Sequence, residues 1–149
     1  MNTTDLPRKM RLSRAAELES LAEIRKVIGL ICLGHPGIDE SISYDLKLAV
    51  EEACMNIVTH GYAGMDAGSI ILDLECDPDQ VIVTITDFGH AFEPAEAPAP
   101  DIEASLDGRP VGGFGLFFIY QTMDQVDYQA GEDGNRLTLV KMLKSPKTS

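Results

Sequence analysis

Tryptophan is absent, cysteine and histidine occur three times each, and basic residues are few. Twelve lysines and arginines face 24 aspartates and glutamates, a net charge of −12 over 149 residues. Each scarcity excludes something. Cys32, Cys54 and Cys76 are isolated, with no Cys-x-x-Cys pair. That argues against a zinc site or a disulfide framework and fits a reducing, cytoplasmic setting. Between Val27 and Asn135 the only bases are Lys47 and Arg109, against 20 acids; the others cluster at the two ends. A nucleic-acid binder needs a basic stripe across its middle, so direct nucleic-acid binding is not expected. Such acidity suits a basic protein partner or serves solubility. No apolar run is long enough to span a bilayer, and Met1 to Met10 has no apolar core of a secretory signal. No membrane association is expected.

What is present is an ordinary globular composition, 44% hydrophobic and 24% charged, in a chain long enough for one domain with a real core. Residues 1–149 are taken as that single domain, with a polar tail at 144–149. Lys9 to Ser13 reads as a first strand. Glu17 to Leu33 carries apolar residues at helical spacing and stops at Gly34-His35-Pro36-Gly37. A second helix starts at Asp39 or Ser41 and ends near Gly61. Ser69 to Cys76 and Gln80 to Thr86 alternate as strands around an Asp77-Pro78-Asp79 turn. Phe92 to Pro110, rich in Pro, Ala and acid, is too long for an ordinary connection. Gly113 to Met123 reads as a helix. Gln125 to Gln129 and Arg136 to Leu143 form a last hairpin. One sheet covered on one face by helices accommodates every apolar stripe: an α/β two-layer sandwich.

The second helix carries chemistry. Leu46, Ala49, Val50, Ala53 and Ile57 form its apolar stripe, while Glu52, Asn56 and His60 follow one another at i, i+4, i+8 on an adjoining face. A carboxylate one turn before a carboxamide can set a water or hydroxyl beside a hard cation, as phosphoryl transfer requires; a plain solvated face has the same pattern. Two glycine-bearing segments follow. Asp87-Phe88-Gly89 closes a strand, where a carboxylate can accept from the exocyclic amine of adenine and a glycine lets the backbone approach the base; an ordinary Asp-Gly turn reads the same way. The triplet also occurs in eukaryotic-type protein kinases, but the glycine-rich loop, strand lysine and His-Arg-Asp loop of that fold are missing. Gly112-Gly113-Phe114-Gly115-Leu116 opens a helix and offers backbone N–H groups and a helix dipole to phosphates, or serves as a hinge. It is neither a Walker loop nor a dinucleotide fingerprint.

Taken in order, Glu52-x-x-x-Asn56, Asp87-x-Gly89 and Gly112-Gly-x-Gly115-Leu116 resemble the N, G1 and G2 boxes of the ATPase superfamily shared by gyrase, heat-shock chaperones, histidine kinases and MutL. Leu48-Ala-Val-Glu-Glu-Ala-Cys-Met-Asn56, His60-Gly-Tyr62, Met123-Asp-Gln-Val126 and Gly134-Asn-Arg-Leu-Thr-Leu-Val-Lys141 are similar to anti-sigma-factor serine/threonine kinases of the RsbW and SpoIIAB type. The resemblance runs from about Lys9 to Leu143. It implies the histidine-kinase-like ATPase (Bergerat) fold, with a mixed, largely antiparallel sheet and an ATP lid at 94–111. It implies ATP and Mg2+ as cofactors. Glu52 would be the catalytic base and Asn56 the metal ligand, Glu51 pointing elsewhere. Asp87 would read adenine, with Gly89 flanking the base. Gly113 and Gly115 would cradle the phosphates, and Gly112, Leu116 and, in the last strand, Thr138 would belong to the nucleotide site. Arg109 is assigned to the γ-phosphate because cations are scarce. His60 fits a structural role at the helix end. The implied partners are a STAS-domain antagonist, phosphorylated on Ser or Thr, a sigma factor and a second copy of the chain. The lid departs from the pattern, being short, with four prolines and one base. A module that uses nucleotide only as a conformational ligand is the alternative, disfavoured by Glu52. A sensor histidine kinase is a poor match, because the only upstream histidine, His35, sits in a Gly-His-Pro turn.

Overall fold

The computed structural model describes residues 8–66, 68–91 and 118–143. Strand β1 (Arg8–Ala15) leads into α1 (Leu18–Leu33) and α2 (Glu40–Asn56), whose last turn widens into a π-helical turn at Ile57–Gly61. Strands β2 (Ser69–Cys76) and β3 (Gln80–Asp87) form a hairpin, residues 118–122 are helical, and β4 (Gln125–Gly131) and β5 (Gly134–Met142) form a second hairpin. The sheet order is β1-β2-β3-β5-β4, and every described pairing is antiparallel. The expected mixed sheet is thus antiparallel throughout its described pairs.

Alternation decides which face meets the helices. Ile70, Leu72, Leu74 and Cys76 of β2 are buried together with Val81, Val83 and Ile85 of β3 and Leu139 of β5. Against them α1 sets Leu21, Ile24, Ile28 and Cys32, and α2 sets Ile42, Leu46, Ala49, Val50, Ala53 and Cys54, at spacings of three and four. Each large apolar side chain so buried contributes roughly 1.5–3 kcal/mol. Cys54 is wholly buried in this layer, and desolvation pushes its thiol up to about 12. It is a small core residue.

Polar groups pin the layers together. Asp39 caps α2, its carboxylate accepting from the Ile42 N–H at 2.8 Å. Buried His35 accepts from the Gly37 N–H on Nδ1, which leaves Nε2 protonated to donate to the Asp77 carbonyl at 2.9 Å. That bond ties the α1–α2 connection to the β2–β3 turn. Lys141 donates to the Thr122 carbonyl at 2.6 Å and lies 3.6 Å from Asp45, so the helical turn at 118–122 is held to both α2 and β5.

The helix expected to run to Gly61 changes pitch after Asn56. Thr59 donates its hydroxyl to the Met55 carbonyl four residues back, a bond that competes with the helical ladder and bends it. The resulting π turn presents the Gly61 carbonyl to the loop after β3. Turns of this type recur at functional sites.

Candidate nucleotide site

Helix α2 and strand β3 converge at the π turn, and a cavity of about 80 Å³ opens there. Its polar lining includes Asn56, His60, Asp87 and His90, and its apolar walls are Ala53, Ile57, Ile85, Ile119, Tyr128 and Leu137. A slot with flat apolar walls and one buried carboxylate suits a purine ring carrying an exocyclic amine.

Asp87 is the floor. It is buried at the end of β3, and its Oδ1 accepts from the Gly89 N–H at 2.8 Å and from Asn135 Nδ2 at 3.1 Å. Two donors on one oxygen orient the carboxylate and leave Oδ2 for a ligand. Asn135 is itself buried, and its amide also donates to the Gly89 carbonyl at 2.9 Å. One side chain therefore fixes both the carboxylate and the loop that follows it.

That loop is bolted to the end of α2. The His90 N–H donates to the Gly61 carbonyl, and His90 Nε2 bonds the Ala63 carbonyl at 2.8 Å. Gly89 lies so close to Gly61 that a Cβ there would overlap the Gly61 carbonyl, so no side chain fits. Tyr62, buried, accepts from the Phe88 N–H and donates to the Ser69 carbonyl, both at 2.9 Å. Gly134, at φ +111°, turns the β4–β5 hairpin and leaves room for the Phe88 ring.

Glu52 sits one helical turn before Asn56, partly buried, outside the cavity lining. Desolvation, reinforced by the neighbouring charge of Glu51, raises its carboxyl above the usual range. Glu51 is engaged elsewhere, accepting both guanidinium bonds of Arg25 on α1. The two adjacent glutamates are thus divided: Glu51 ties α2 to α1, and Glu52 is free of ion pairs among the described residues. Asn56 and Asp87 line the same cavity, and Gly89, two residues after Asp87, lies outside that lining. His60 lines the cavity but is exposed at the helix end. Arg109, Gly112, Gly113, Gly115 and Leu116 lie outside the described residues.

Thr138 requires a correction. Register pairs it with Thr84, whereas the cavity face carries the pairs Asp87↔Asn135 and Ile85↔Leu137. Thr138 is one residue out of phase and belongs to the opposite face of the sheet. The polar residue of β5 that meets Asp87 is Asn135. Its signal in the sequence is a polar side chain at an inward position, two residues before Leu137 and four before Leu139.

The histidine kinase-like ATPase domain family matches residues 14–141. The chain belongs to this family. Relatives include the serine/threonine-protein kinase BtrW of Bordetella bronchiseptica, 34% identical over 98 residues, covering 66% of this chain and 69% of that protein. The serine-protein kinase RsbW of Staphylococcus epidermidis is 32% identical over 142 residues, 91% of this chain and 86% of that one. That of Halalkalibacterium halodurans is 29% identical over 146 residues, 91% and 88%. Among solved structures, the histidine kinase domain of the Erythrobacter litoralis EL346 blue-light activated histidine kinase aligns with a TM-score of 0.53 at 16% identity. This ATPase-family chain spans 84% of its own length in that alignment and 60% of the neighbour's, and the likeness is one of fold.

The donor set suits magnesium. Among the described residues no group of three His, Cys, Asp or Glu side chains could cage a metal. Asn56 offers one carboxamide oxygen at the cavity wall. Mg2+ takes few protein ligands and completes its octahedron with phosphate oxygens and water.

Proposed function

We propose that this histidine kinase-like ATPase is an ATP-dependent protein serine/threonine kinase that phosphorylates a STAS-domain antagonist and sequesters a sigma factor. The observation that carries the kinase reading is the free, partly desolvated Glu52 one turn before Asn56, on the helix whose end meets Asp87. A pure nucleotide sensor needs Asn56 and Asp87 but has no use for the glutamate. The names of the relatives, serine-protein kinases over most of the chain, support the same reading.

In this reading Asp87 Oδ2 accepts from the adenine amine while Asn135 and the Gly89 N–H hold Oδ1. Asn56 would hold Mg2+, which would supply charge neutralisation at the phosphates. Glu52 orients the attacking hydroxyl of the antagonist and takes its proton; a raised pKa makes it a stronger base. Gly113 and Gly115 would cradle the phosphates through backbone N–H groups, with Gly112 and Leu116 beside them, and Arg109 would serve the γ-phosphate. Transfer then depends on positioning and charge neutralisation.

The test incubates the chain with Mg-ATP and a STAS-domain antagonist from the same genome, with phosphoserine and phosphothreonine read by mass spectrometry. Wild type transfers phosphate; Glu52→Ala keeps ATP affinity and loses transfer by about 10²–10⁴-fold; Asn56→Ala loses Mg-ATP binding. Absence of phosphoryl transfer by wild type removes the kinase reading for that pair, and normal Mg-ATP binding by Asn56→Ala removes the metal role.

A further inference from the structure

Strand β5 grips the segment before β4 at consecutive residues. The Val140 carbonyl accepts from the Asp124 N–H at 2.9 Å, and the Met142 N–H donates to the Asp124 carboxylate at 2.6 Å. Between them Lys141 Nζ donates to the Thr122 carbonyl at 2.6 Å. On the β5 side the first two bonds use backbone groups alone, which residues of many types could supply. The third needs a long cationic side chain.

A lysine is costly at this position. Lys141 pairs with buried Val81 across the ladder, and alternation puts it on the helix-facing side of β5 with Asn135, Leu137 and Leu139. Its side chain is 15% exposed, and Asp45 of α2 lies 3.6 Å away. An ammonium so far out of water must be paired and hydrogen-bonded. An apolar residue would pack there without that cost. What the lysine adds is a directed bond to one carbonyl.

That carbonyl lies at the end of its turn. Within the turn the Phe118 carbonyl takes the Thr122 hydroxyl, and the Ile119 carbonyl takes the Met123 N–H. The Thr122 carbonyl comes after these, where a basic side chain can satisfy a helix end. The same turn carries Ile119, which is wholly buried and forms a wall of the nucleotide cavity. Lys141 thus touches no part of the cavity, yet it holds the turn that supplies one of its walls.

We propose that Lys141 is a positioning residue of the nucleotide site, clamping the 118–122 turn between β5 and α2 so that Ile119 is set against the base. The inference rests on reading the cavity as the nucleotide site, but not on phosphoryl transfer. Asp45 is the second jaw, orienting the ammonium from α2, the helix that also bears Asn56. The base is gripped by a wall whose place is fixed from outside the cavity, so loosening the clamp lowers affinity for the nucleoside itself.

The chain has no tryptophan, and Tyr120 on the turn is half exposed, so Tyr120→Trp gives a single reporter there. Its fluorescence anisotropy in the nucleotide-free chain reads the turn; calorimetry with ATP and with adenosine reads the site. Lys141→Met lowers the anisotropy and weakens ATP and adenosine alike by about tenfold, the scale of a lost charge-assisted hydrogen bond. Lys141→Arg keeps a donor and stays within about threefold of wild type in both. Asp45→Asn weakens both by about threefold. Asp39→Ala is the control for stability alone: it melts earlier and moves neither readout. Lys141→Met with wild-type anisotropy or wild-type affinities overturns the proposal, and so does Lys141→Arg as weak as Lys141→Met. If Lys141→Met fails to fold, Asp45→Asn decides, and wild-type values there overturn the clamp. A wild type that binds neither ATP nor adenosine removes the nucleotide reading and this role with it, whereas loss of phosphoryl transfer alone removes only the kinase reading.

Discussion

At its start, helix α2 is closed by its own sequence: Asp39 takes the Ile42 N–H, and the first turn is regular. At its end it is closed by the rest of the fold. After Asn56 the ladder widens, the Gly61 carbonyl turns to His90, Gly89 presses on Gly61, and Tyr62 holds Phe88. One end spends its polar groups on itself and could form in isolation. The other lends its backbone to a distant loop, and that loop directly follows Asp87, the carboxylate of the candidate site. The lesson is that the site lies where local regularity is given up for long-range bonding.

The contrast can be broken most severely at Gly89. Gly89→Ala drives a Cβ into the Gly61 carbonyl, and the loop must leave α2. A loss of roughly 3 kcal/mol or more is expected, with nucleotide binding abolished. Urea unfolding and ATP titration check it; a variant that melts and binds like wild type would show that the close approach holds nothing. Asn135→Ala is next. It strips Asp87 Oδ1 and the Gly89 carbonyl of a donor in a buried place, for about 1–3 kcal/mol and a fall of about 10–100-fold in ATP affinity, measured by calorimetry. Thr138→Ala, on the other face, leaves ATP affinity unchanged in the same experiment.

Asp39→Ala sharpens the comparison from the other side. Removing the cap lowers stability by about 1 kcal/mol while ATP affinity stays at the wild-type value. The smallest effect concerns Glu52 and pH. Its folded carboxyl lies above the ordinary range, so the folded state binds that proton more tightly than the unfolded chain does. The ionised form therefore opposes folding above the folded pKa, and this opposition vanishes as pH falls through it. Glu52→Gln is expected to raise stability at neutral pH by a few tenths of a kcal/mol. The rate of transfer by wild type falls with acid around a midpoint above the free-glutamate value of about 4.3. A midpoint at or below that value would contradict the desolvation of Glu52.

Much of the framework is legible in the chain. Ser69 to Cys76 alternates so strictly that both strand ends are read correctly, because a half-buried strand must repeat every two residues. Asp39 announces the start of α2, and Glu52, Asn56 and Asp87 stand out as polar residues in structured surroundings. Other features depend on partners far away in sequence. Leu18 belongs to the apolar periodicity of α1 yet remains exposed, as do Leu30 and Leu33 off that stripe. The α2 interface covers only one stripe, and no described residue covers the rest.

The last strand marks the division most clearly. By itself the sequence determined that a strand follows Gly134, that its side chains alternate, and that a helix bearing Glu52 and Asn56 precedes a strand ending in Asp87. Those are properties of three to eight neighbouring residues. Only the tertiary structure decided that Asn135, not Thr138, meets Asp87, that Arg25 engages Glu51 and leaves Glu52 free, and that Gly61 and Gly89 touch. Each joins residues 26 to 48 positions apart. A one-residue shift in strand register would exchange the faces of β5, and register is settled by packing the whole sheet against α1 and α2.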